Sequence, residues 1–407
     1  MVVADYPSIE RIALKLKPGT WNEVPGQQQK LAQIDAKWGG VQLVFLGETN
    51  HFVHEKVDFR LWWLRRLAQG RRLVIGEELG WSDGRRIAAY LSDGDLSHLH
   101  AVATFGFKGH LRTDRNDSPT GVFADSLHRY PYALMGAEHT RFYQALRELQ
   151  AVDDYFGFDV DSPPGGAYKD IERRRPALDQ AGMPEDFWGG LQRVQGETLD
   201  EEVHRLRHLM GVFAGAPGFE LIREDLLSLT ESLEYTALFK DATDYEATRP
   251  AMAFREQTMK RRLDDVLQHT DSNTLVVLMG HAFHLAKNDH LMLEQSIGPG
   301  GGEVSSLGHY LVQERGLEAS SIWMVYAAGE DSQPICDLPR RADYPDHTIN
   351  AALSVYDFPI VLPVDVNSPF MEPVSVGQMY NLVTQVHLPA QVDYVMYLPR
   401  VSPLIMG

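Results

Sequence analysis

Three short apolar segments, each ended by a glycine, constrain the fold of this chain most strongly. They occupy residues 41–46, 72–75 and 274–279 and are rich in valine, leucine and isoleucine. Runs of this length and composition are typical of buried β-strands. Residues 55–69, by contrast, carry apolar residues at every third or fourth position, which indicates a helix. Strands that alternate with helices predict an α/β fold with a mainly parallel central sheet flanked by helices.

The rest of the chain is predicted to complete one large domain of this class. Further elements follow from the same patterns: strands at residues 156–160, 321–328, 358–364 and 392–398, and helices at 85–91 and 140–149. The first 40 residues are expected to be mostly helical. Residues 168–270 show no clear strand pattern and are rich in helix formers. We therefore predict a single domain over residues 1–407 with a helical insert at about 168–270.

Composition argues against several classes of function. The net charge of −18 disfavours broad nucleic-acid binding, which needs clustered positive charge. The single cysteine, Cys336, cannot form an intramolecular disulfide, as suits a reducing compartment. No stretch approaches the roughly 18 apolar residues of a membrane span, and no signal peptide is visible. We expect a cytoplasmic protein that acts on a small molecule, without nucleic-acid or membrane partners.

Acids and histidines follow the three apolar segments directly. Glu48 and His51 follow the first segment, Glu78 the second, and His281 and His284 the third. Ligands of open α/β sheets bind beyond the carboxyl ends of the strands, so these side chains are predicted to converge. A histidine titrates near neutral pH, and a carboxylate beside it can fix its tautomer. Together they can take a proton from water and create a nucleophile.

Other interpretations of these residues stay open. Glu78 can instead form a structural ion pair with an arginine, and Asp159 is expected to close a turn at a strand end. His54 is expected at the rim of the pocket or in solvent. A glutamate with His51, His281 and His284 is also a plausible metal ligand set, although the closely spaced histidines of zinc proteases are absent.

Two common catalytic motifs are missing from the chain. No Gly-x-Ser-x-Gly sequence occurs, which disfavours a serine hydrolase and leaves activation of water as the simpler route to hydrolysis. The glycine-rich loop at residues 298–302 lacks the Gly-Lys-Ser/Thr ending of a phosphate-binding P-loop.

Taken in order, the motifs of this chain resemble the erythromycin esterase family. The residues Gly47-Glu48-Thr49-Asn50-His51-Phe52, followed by Glu55 and Arg60, are similar to the family's Gly-Glu-x-Asn-His-Phe signature. Further segments resemble later family elements: 76–84, 156–160, 255–259, 280–284, 306–311 and 391–398. Where the family has His-Asn-x-His, this chain has Ala282 after His281.

The resemblance implies a metal-independent hydrolase without a cofactor. His51 is implied to be the general base on water, and Glu48 to support it. Glu78 and His281 are implied to complete the catalytic group, while Arg60, His284 and Glu55 are implied to bind or orient the substrate. The implied fold is an α/β core with the helical insert forming a lobe over a cleft.

We therefore expect an enzyme that opens a lactone or ester of a macrolide or another bulky natural product. Two alternatives remain. One is a metal-dependent or non-hydrolytic acid–base enzyme of natural-product metabolism on the same scaffold. The other is a protein that binds haem or another small molecule without catalysis.

Overall fold

The computed structural model describes most of the chain. It covers residues 6–17, 20–99, 102, 132–161, 167–192, 194–240, 245–294, 305–331, 340–365, 370 and 372–404. Cys336, the loop at 298–302 and most of the irregular stretch at 95–135 lie outside the described residues.

The chain forms two compact units. The first comprises Met1–Glu77, Ala137–Asp154 and Asp264–Gly407, and the second comprises Glu78–Gly136 and Tyr155–Leu263. The organisation as a single domain over residues 1–407 stays a prediction.

Twelve strands occur in the part of the chain that is described. In chain order they are β1 (Leu14–Lys15), β2 (Leu43–Glu48), β3 (Leu73–Gly80), β4 (Val152–Asp159), β5 (Leu275–His281), β6 (Met292–Glu294), β7 (Ala319–Asp331), β8 (Arg340–Arg341), β9 (Ile360–Pro363), β10 (Val374–Gly377), β11 (Val383–Val386) and β12 (Tyr394–Val401).

The large sheet has the order β1-β9-β12-β7-β2-β5-β3-β4, with β8 paired to β7. The strands from β12 through β7, β2 and β5 to β3 pair in parallel. Toward one edge β9 and β1 pair in an antiparallel way, and the short strand β8 pairs antiparallel to β7. The prediction of a mainly parallel central sheet is therefore confirmed. The strands β10, β11 and β6 form a separate antiparallel sheet that the sequence does not predict, because strands this short show no periodic pattern.

The central strands continue through the glycines that were predicted to end them. Strand β2 extends to Glu48 and β5 to His281, and Gly47 lies directly opposite Gly280 in the ladder between them. Every residue of both strands is buried, as expected for a parallel sheet covered on both faces. A Cβ atom on Gly47 would lie 2.7 Å from Trp323 Cδ1, so this position has no room for a side chain.

Helices flank the strands and fill the long segment between β4 and β5. They are α1 (Tyr6–Ile12), α2 (Gln28–Trp38), α3 (Glu55–Leu67), α4 (Trp81–Asp93), α5 (Leu96–Leu99), α6 (Tyr132–Glu148), α7 (Ala167–Arg173), α8 (Arg175–Ala181), α9 (Glu185–Leu191), α10 (Leu199–Phe213), α11 (Arg223–Lys240), α12 (Tyr245–His269), α13 (Leu307–His309), α14 (Ile349–Leu353) and α15 (Leu388–Gln391).

The helical insert folds around its own apolar core in the second unit. Its regular structure is entirely helical across the described part of residues 167–269, in agreement with the sequence prediction. Buried side chains such as Phe187, Leu206 and Ile222 form this core. Helix α10 begins with a capping box, in which Thr198 and Glu201 satisfy each other's backbone N–H groups.

In the described part of the chain, no helix combines the length and the apolar composition that a membrane-spanning helix needs.

Candidate active site

The register of the central sheet brings two of the predicted residues together. Glu48 is the last residue of β2 and His281 the last of β5, and their Cα atoms are direct partners in the parallel ladder. The backbone N–H of Ala282 donates to the carbonyl oxygen of Glu48 at 2.9 Å, which continues the pairing beyond the strands. Both side chains are buried. The carboxylate and the imidazole are thus positioned by rigid neighbouring strands.

His51 returns toward Glu48 from the loop that follows β2. Its Nδ1 atom lies 2.9 Å from Glu48 Oε1, and the two side chains are 4% and 0% exposed. An ionised carboxylate can only accept hydrogen bonds, so the proton of this bond belongs to His51 Nδ1. In the neutral imidazole the lone pair is then on Nε2. That is the arrangement of a general base held in one tautomer.

Helix α3 provides the cations that neutralise Glu48. Arg60 donates to both carboxylate oxygens of Glu48, from Nε at 3.1 Å and from Nη2 at 3.0 Å. Lys56, one turn earlier on the same face of the helix, lies 3.8 Å from Glu48 and donates to the carbonyl oxygen of His51 at 2.7 Å. All of these side chains are buried. Bidentate contacts of this kind fix both position and charge.

A second carboxylate balances the charge of this group. Arg60 also donates from Nη1 to Glu77, and the hydroxyl of Tyr143 donates to the other oxygen of Glu77 at 3.0 Å. Two cations, Arg60 and Lys56, thus lie among two carboxylates, Glu48 and Glu77. A buried ionic group needs this balance, because an uncompensated buried charge costs several kcal/mol.

The pKa of Glu48 reflects the same contacts. Burial alone would raise it, but the charges of Arg60 and Lys56 and the hydrogen bond with His51 outweigh burial and lower the pKa to about 2. Glu48 is therefore ionised at neutral pH, as the tautomer of His51 requires.

His281 lies against His51 with a complementary hydrogen-bond arrangement. The two ring centroids are 5.0 Å apart and the rings are tilted by 54°. The backbone N–H of Phe283 donates to His281 Nδ1 at 3.3 Å, which favours the tautomer with its proton on Nε2. His51 is thus arranged to accept a proton at Nε2, and His281 to donate a hydrogen bond from Nε2.

The loop between β2 and α3 is held by side chains within it. Thr49 donates to the carbonyl oxygen of Met324 at 3.0 Å. The amide of Asn50 donates to Tyr326 and to Asp331, at 2.7 Å and 2.8 Å, while its oxygen accepts from the N–H of Phe52. These bonds fix the loop that carries His51, so the base is held before any substrate binds.

Two residues predicted to bind substrate have clear structural contacts. The carboxylate of Glu55 accepts hydrogen bonds from the N–H and the hydroxyl of Ser402, at 2.9 Å and 2.8 Å. His284 is buried, and its carbonyl oxygen accepts from the N–H of Gly308 at 2.7 Å. Their roles in substrate binding stay predictions.

Glu78 lies in the second unit and takes part in an ion pair there. Arg255 donates to Glu78 at 2.7 Å and also to Asp159. This is the structural pairing that was considered for Glu78 from the sequence, and a catalytic role for it stays a prediction. Asp159 also accepts from the N–H of Val160 at 2.7 Å, a local bond next to the strand end.

His54 lies at the start of helix α3 and is 22% exposed. The hydrogen bond to Glu138, at 2.5 Å, is the main cause of a raised His54 pKa, while burial opposes it. The sequence predicts His54 at a pocket rim or in solvent, and in the structure its side chain contacts Glu138.

Sequence reasoning assigned no role to four residues that hold this site together, namely Lys56, Glu77, Tyr143 and Asn50. For Lys56 the sequence did offer a signal. Lys56 and Arg60 are four residues apart, which places two cations one turn apart on the same face of a helix. Nothing local in the sequence indicates Tyr143.

A metal-dependent role for His51, His281 and His284 stays a prediction. Elsewhere in the described residues, the potential ligand atoms of Asp289, His290 and His309 all lie within 4.8 Å of one another.

Comparisons of sequence alone give no family for this chain. No protein-family model matches it, and no curated protein matches it.

Solved structures match it over nearly its full length. A protein from Bacillus cereus shares 14% sequence identity at a TM-score of 0.66, with 99% of each chain covered. A succinoglycan biosynthesis protein shares 13% identity at a TM-score of 0.69, with 100% of each chain covered. A mutant of the erythromycin esterase EreC in its open conformation shares 14% identity at a TM-score of 0.62, over 96% of this chain and 97% of that chain. At identities this low, the likeness shows that the chain has an erythromycin esterase-like fold.

Proposed function

We propose that this protein is a metal-independent hydrolase that opens a lactone or ester bond by means of water activated by His51. One observation carries the proposal: ionised Glu48 accepts the Nδ1 proton of His51 and leaves a lone pair on Nε2. A neutral imidazole in this tautomer is suited to take a proton from water near neutral pH.

The chemistry follows from the two imidazoles. His51 Nε2 removes a proton from water as the water oxygen forms a bond to the carbonyl carbon of the substrate. The electron pair of the C=O bond moves to its oxygen, and in this proposal the Nε2–H of His281 donates to that oxyanion. Collapse of the tetrahedral intermediate breaks the C–O bond to the alcohol. The imidazolium of His51 returns its proton to the leaving oxygen, which yields a carboxylic acid and an alcohol.

Arg60, Lys56 and Glu77 support this cycle indirectly. Glu48 must stay ionised while His51 becomes an imidazolium, because the carboxylate then stabilises the new positive charge. Arg60 and Lys56 keep Glu48 ionised, and Glu77 compensates Arg60. The fixed contacts of this group require little reorganisation when the proton moves.

The substrate class rests on the motif resemblance and on the fold shared with an erythromycin esterase. A macrolide or another bulky natural product with a lactone or ester is therefore the proposed substrate. The predicted roles of His284, Glu55, Arg60 and Glu78 belong to the same proposal, and single substitutions test each one.

The experiment is a hydrolysis screen by mass spectrometry over macrolides, smaller lactones and linear esters. Lactone opening adds the mass of one water to the substrate. In water labelled with ¹⁸O, the label should enter the new carboxylate. A product formed by isomerisation or elimination, without the added mass of water, would contradict hydrolysis and favour other acid–base chemistry.

A further inference from the structure

A second cluster of ligand-type side chains lies in the first unit, formed by Asp289, His290 and His309. Their potential ligand atoms all lie within 4.8 Å of one another. Asp289 and His290 belong to the short 3₁₀ turn Asp289–Leu291, and His309 is the last residue of α13. None of the three takes part in the Glu48–His51 chemistry proposed above.

The distances in this cluster lie around those expected for the ligands of a single metal ion. Asp289 Oδ1 lies 2.8 Å from His309 Nδ1 and 4.0 Å from His290 Nδ1. Two ligands of one tetrahedral zinc ion are about 3.4 Å apart, given bonds of about 2.0–2.1 Å. The observed separations lie on either side of that value. The side chain of His290 is 71% exposed and can adjust its position.

The two inner ligand atoms face each other in a largely buried place. Asp289 Oδ1 and His309 Nδ1 lie 2.8 Å apart, and their side chains are 10% and 8% exposed. This close polar contact lacks the alignment of a hydrogen bond. Two ligand-type atoms so close together can bind one cation.

The carboxylate of Asp289 is also held in place from behind. Its other oxygen, Oδ2, accepts a hydrogen bond from the N–H of Ser306 at 2.6 Å. The hydroxyl of Ser306 in turn donates to the carbonyl oxygen of Ala286 and accepts from the N–H of His309. Hydrogen bonds to the non-ligating side of a ligand are a regular feature of metal sites.

We propose that Asp289, His290 and His309 bind one divalent transition-metal ion of the zinc type, with water completing the coordination. Two imidazoles and one carboxylate favour such an ion over calcium or magnesium, which prefer oxygen ligands. The ion would fasten the 3₁₀ turn to helix α13. Gly308 of that helix bonds to the carbonyl oxygen of His284, so the ion would also stabilise the loop after β5.

The test is zinc binding to the full-length, tag-free protein after dialysis against a chelator. Titration calorimetry with zinc chloride should show one equivalent per chain, and zinc should raise the melting temperature. His290→Ala should weaken binding by about tenfold or more, as expected when a ligand is lost. Because His290 is largely exposed, this variant should fold normally. His269→Ala is the matched control, since His269 is 75% exposed and lies 3.8 Å from Asp265.

Two outcomes would overturn the proposal. One is the lack of stoichiometric zinc binding by the wild-type protein, or equal affinity in wild type and His290→Ala. The other is zinc binding that is lost in His51→Ala and retained in His290→Ala, which would place the ion at the other histidines. Cobalt substitution gives an independent readout, because its visible absorption bands should change in His290→Ala and stay unchanged in His51→Ala.

Discussion

His51 Nδ1 and Glu48 Oε1 are 2.9 Å apart in the buried interior of the first unit. Glu48 lies at the end of a central strand and His51 three residues later in the loop. This pair fixes the tautomer of the imidazole, and Arg60 and Lys56 keep the carboxylate ionised. The proposed chemistry depends on this relationship, and most of the predictions below address its parts.

Glu48→Gln should reduce turnover by about 10²–10⁴. The neutral amide keeps the shape of the side chain, but it neither fixes the His51 tautomer nor stabilises an imidazolium. It also leaves Arg60 and Lys56 poorly compensated, which should lower the free energy of unfolding by about 3–5 kcal/mol. Steady-state kinetics and urea unfolding measure the two effects. Glu185→Gln, at a carboxylate that is 82% exposed, is the control and should behave like wild type.

Tyr143→Phe should affect stability more than catalysis. The substitution removes one hydrogen bond to Glu77, which should cost about 0.5–1.5 kcal/mol of unfolding free energy. Glu77 still pairs with Arg60, so the Glu48–His51 contact should survive and kcat should fall by less than about tenfold. A loss of turnover as large as that of Glu48→Gln would show that Tyr143 has a direct role in the reaction.

The contribution of Glu48 to stability should depend on pH. Its pKa in the folded protein is about 2, below the ordinary value of 4.5. A group with a lowered pKa stabilises the fold above its unfolded pKa, and this stabilisation is lost as pH falls toward the folded pKa. The effect is on the order of 3 kcal/mol at neutral pH. Wild type should therefore be more stable than Glu48→Gln at about pH 7, and the difference should shrink below about pH 4.5. A difference that does not vary with pH would contradict the ion pairing.

Gly47→Ala should destabilise the protein by about 1–3 kcal/mol. The new methyl group would lie 2.7 Å from Trp323 Cδ1 and 3.0 Å from its Nε1, with no flexible end to move aside. Gly40→Ala is the matched control, because a Cβ there meets no atom within 4 Å. Thermal unfolding compares the two variants. Equal stability would show that the central strands can separate slightly at this point.

The sequence allows the parallel sheet to be predicted because its strands are continuous apolar runs. The same property hides details of the site. All eight residues of β3 are buried, so the period-two alternation that would tell Glu77 from Glu78 is absent. The sequence thus predicts a role for Glu78, which stays a prediction, and gives no sign that Glu77 pairs with Arg60. Glycine was expected to end the strands, yet Gly47 and Gly280 face each other within the ladder.

Other members of the site come from distant parts of the chain. Tyr143 reaches Glu77 from helix α6, and Asn50 contacts Tyr326 and Asp331 across about 280 residues of sequence. Long-range contacts of this kind depend on how the elements pack, and no local pattern records them. Glu48, His51 and His281 could be proposed from the sequence because they lie at or just beyond the ends of two apolar strands.

The most direct test of the central proposal is the activity of His51→Ala on the best substrate of the hydrolysis screen, with and without added imidazole. Loss of the base should reduce turnover by about 10²–10⁴. Imidazole in solution should restore part of the rate, in proportion to its unprotonated form, while His269→Ala stays fully active. Turnover by a folded His51→Ala protein close to that of wild type would contradict the role of His51 as the base that activates water.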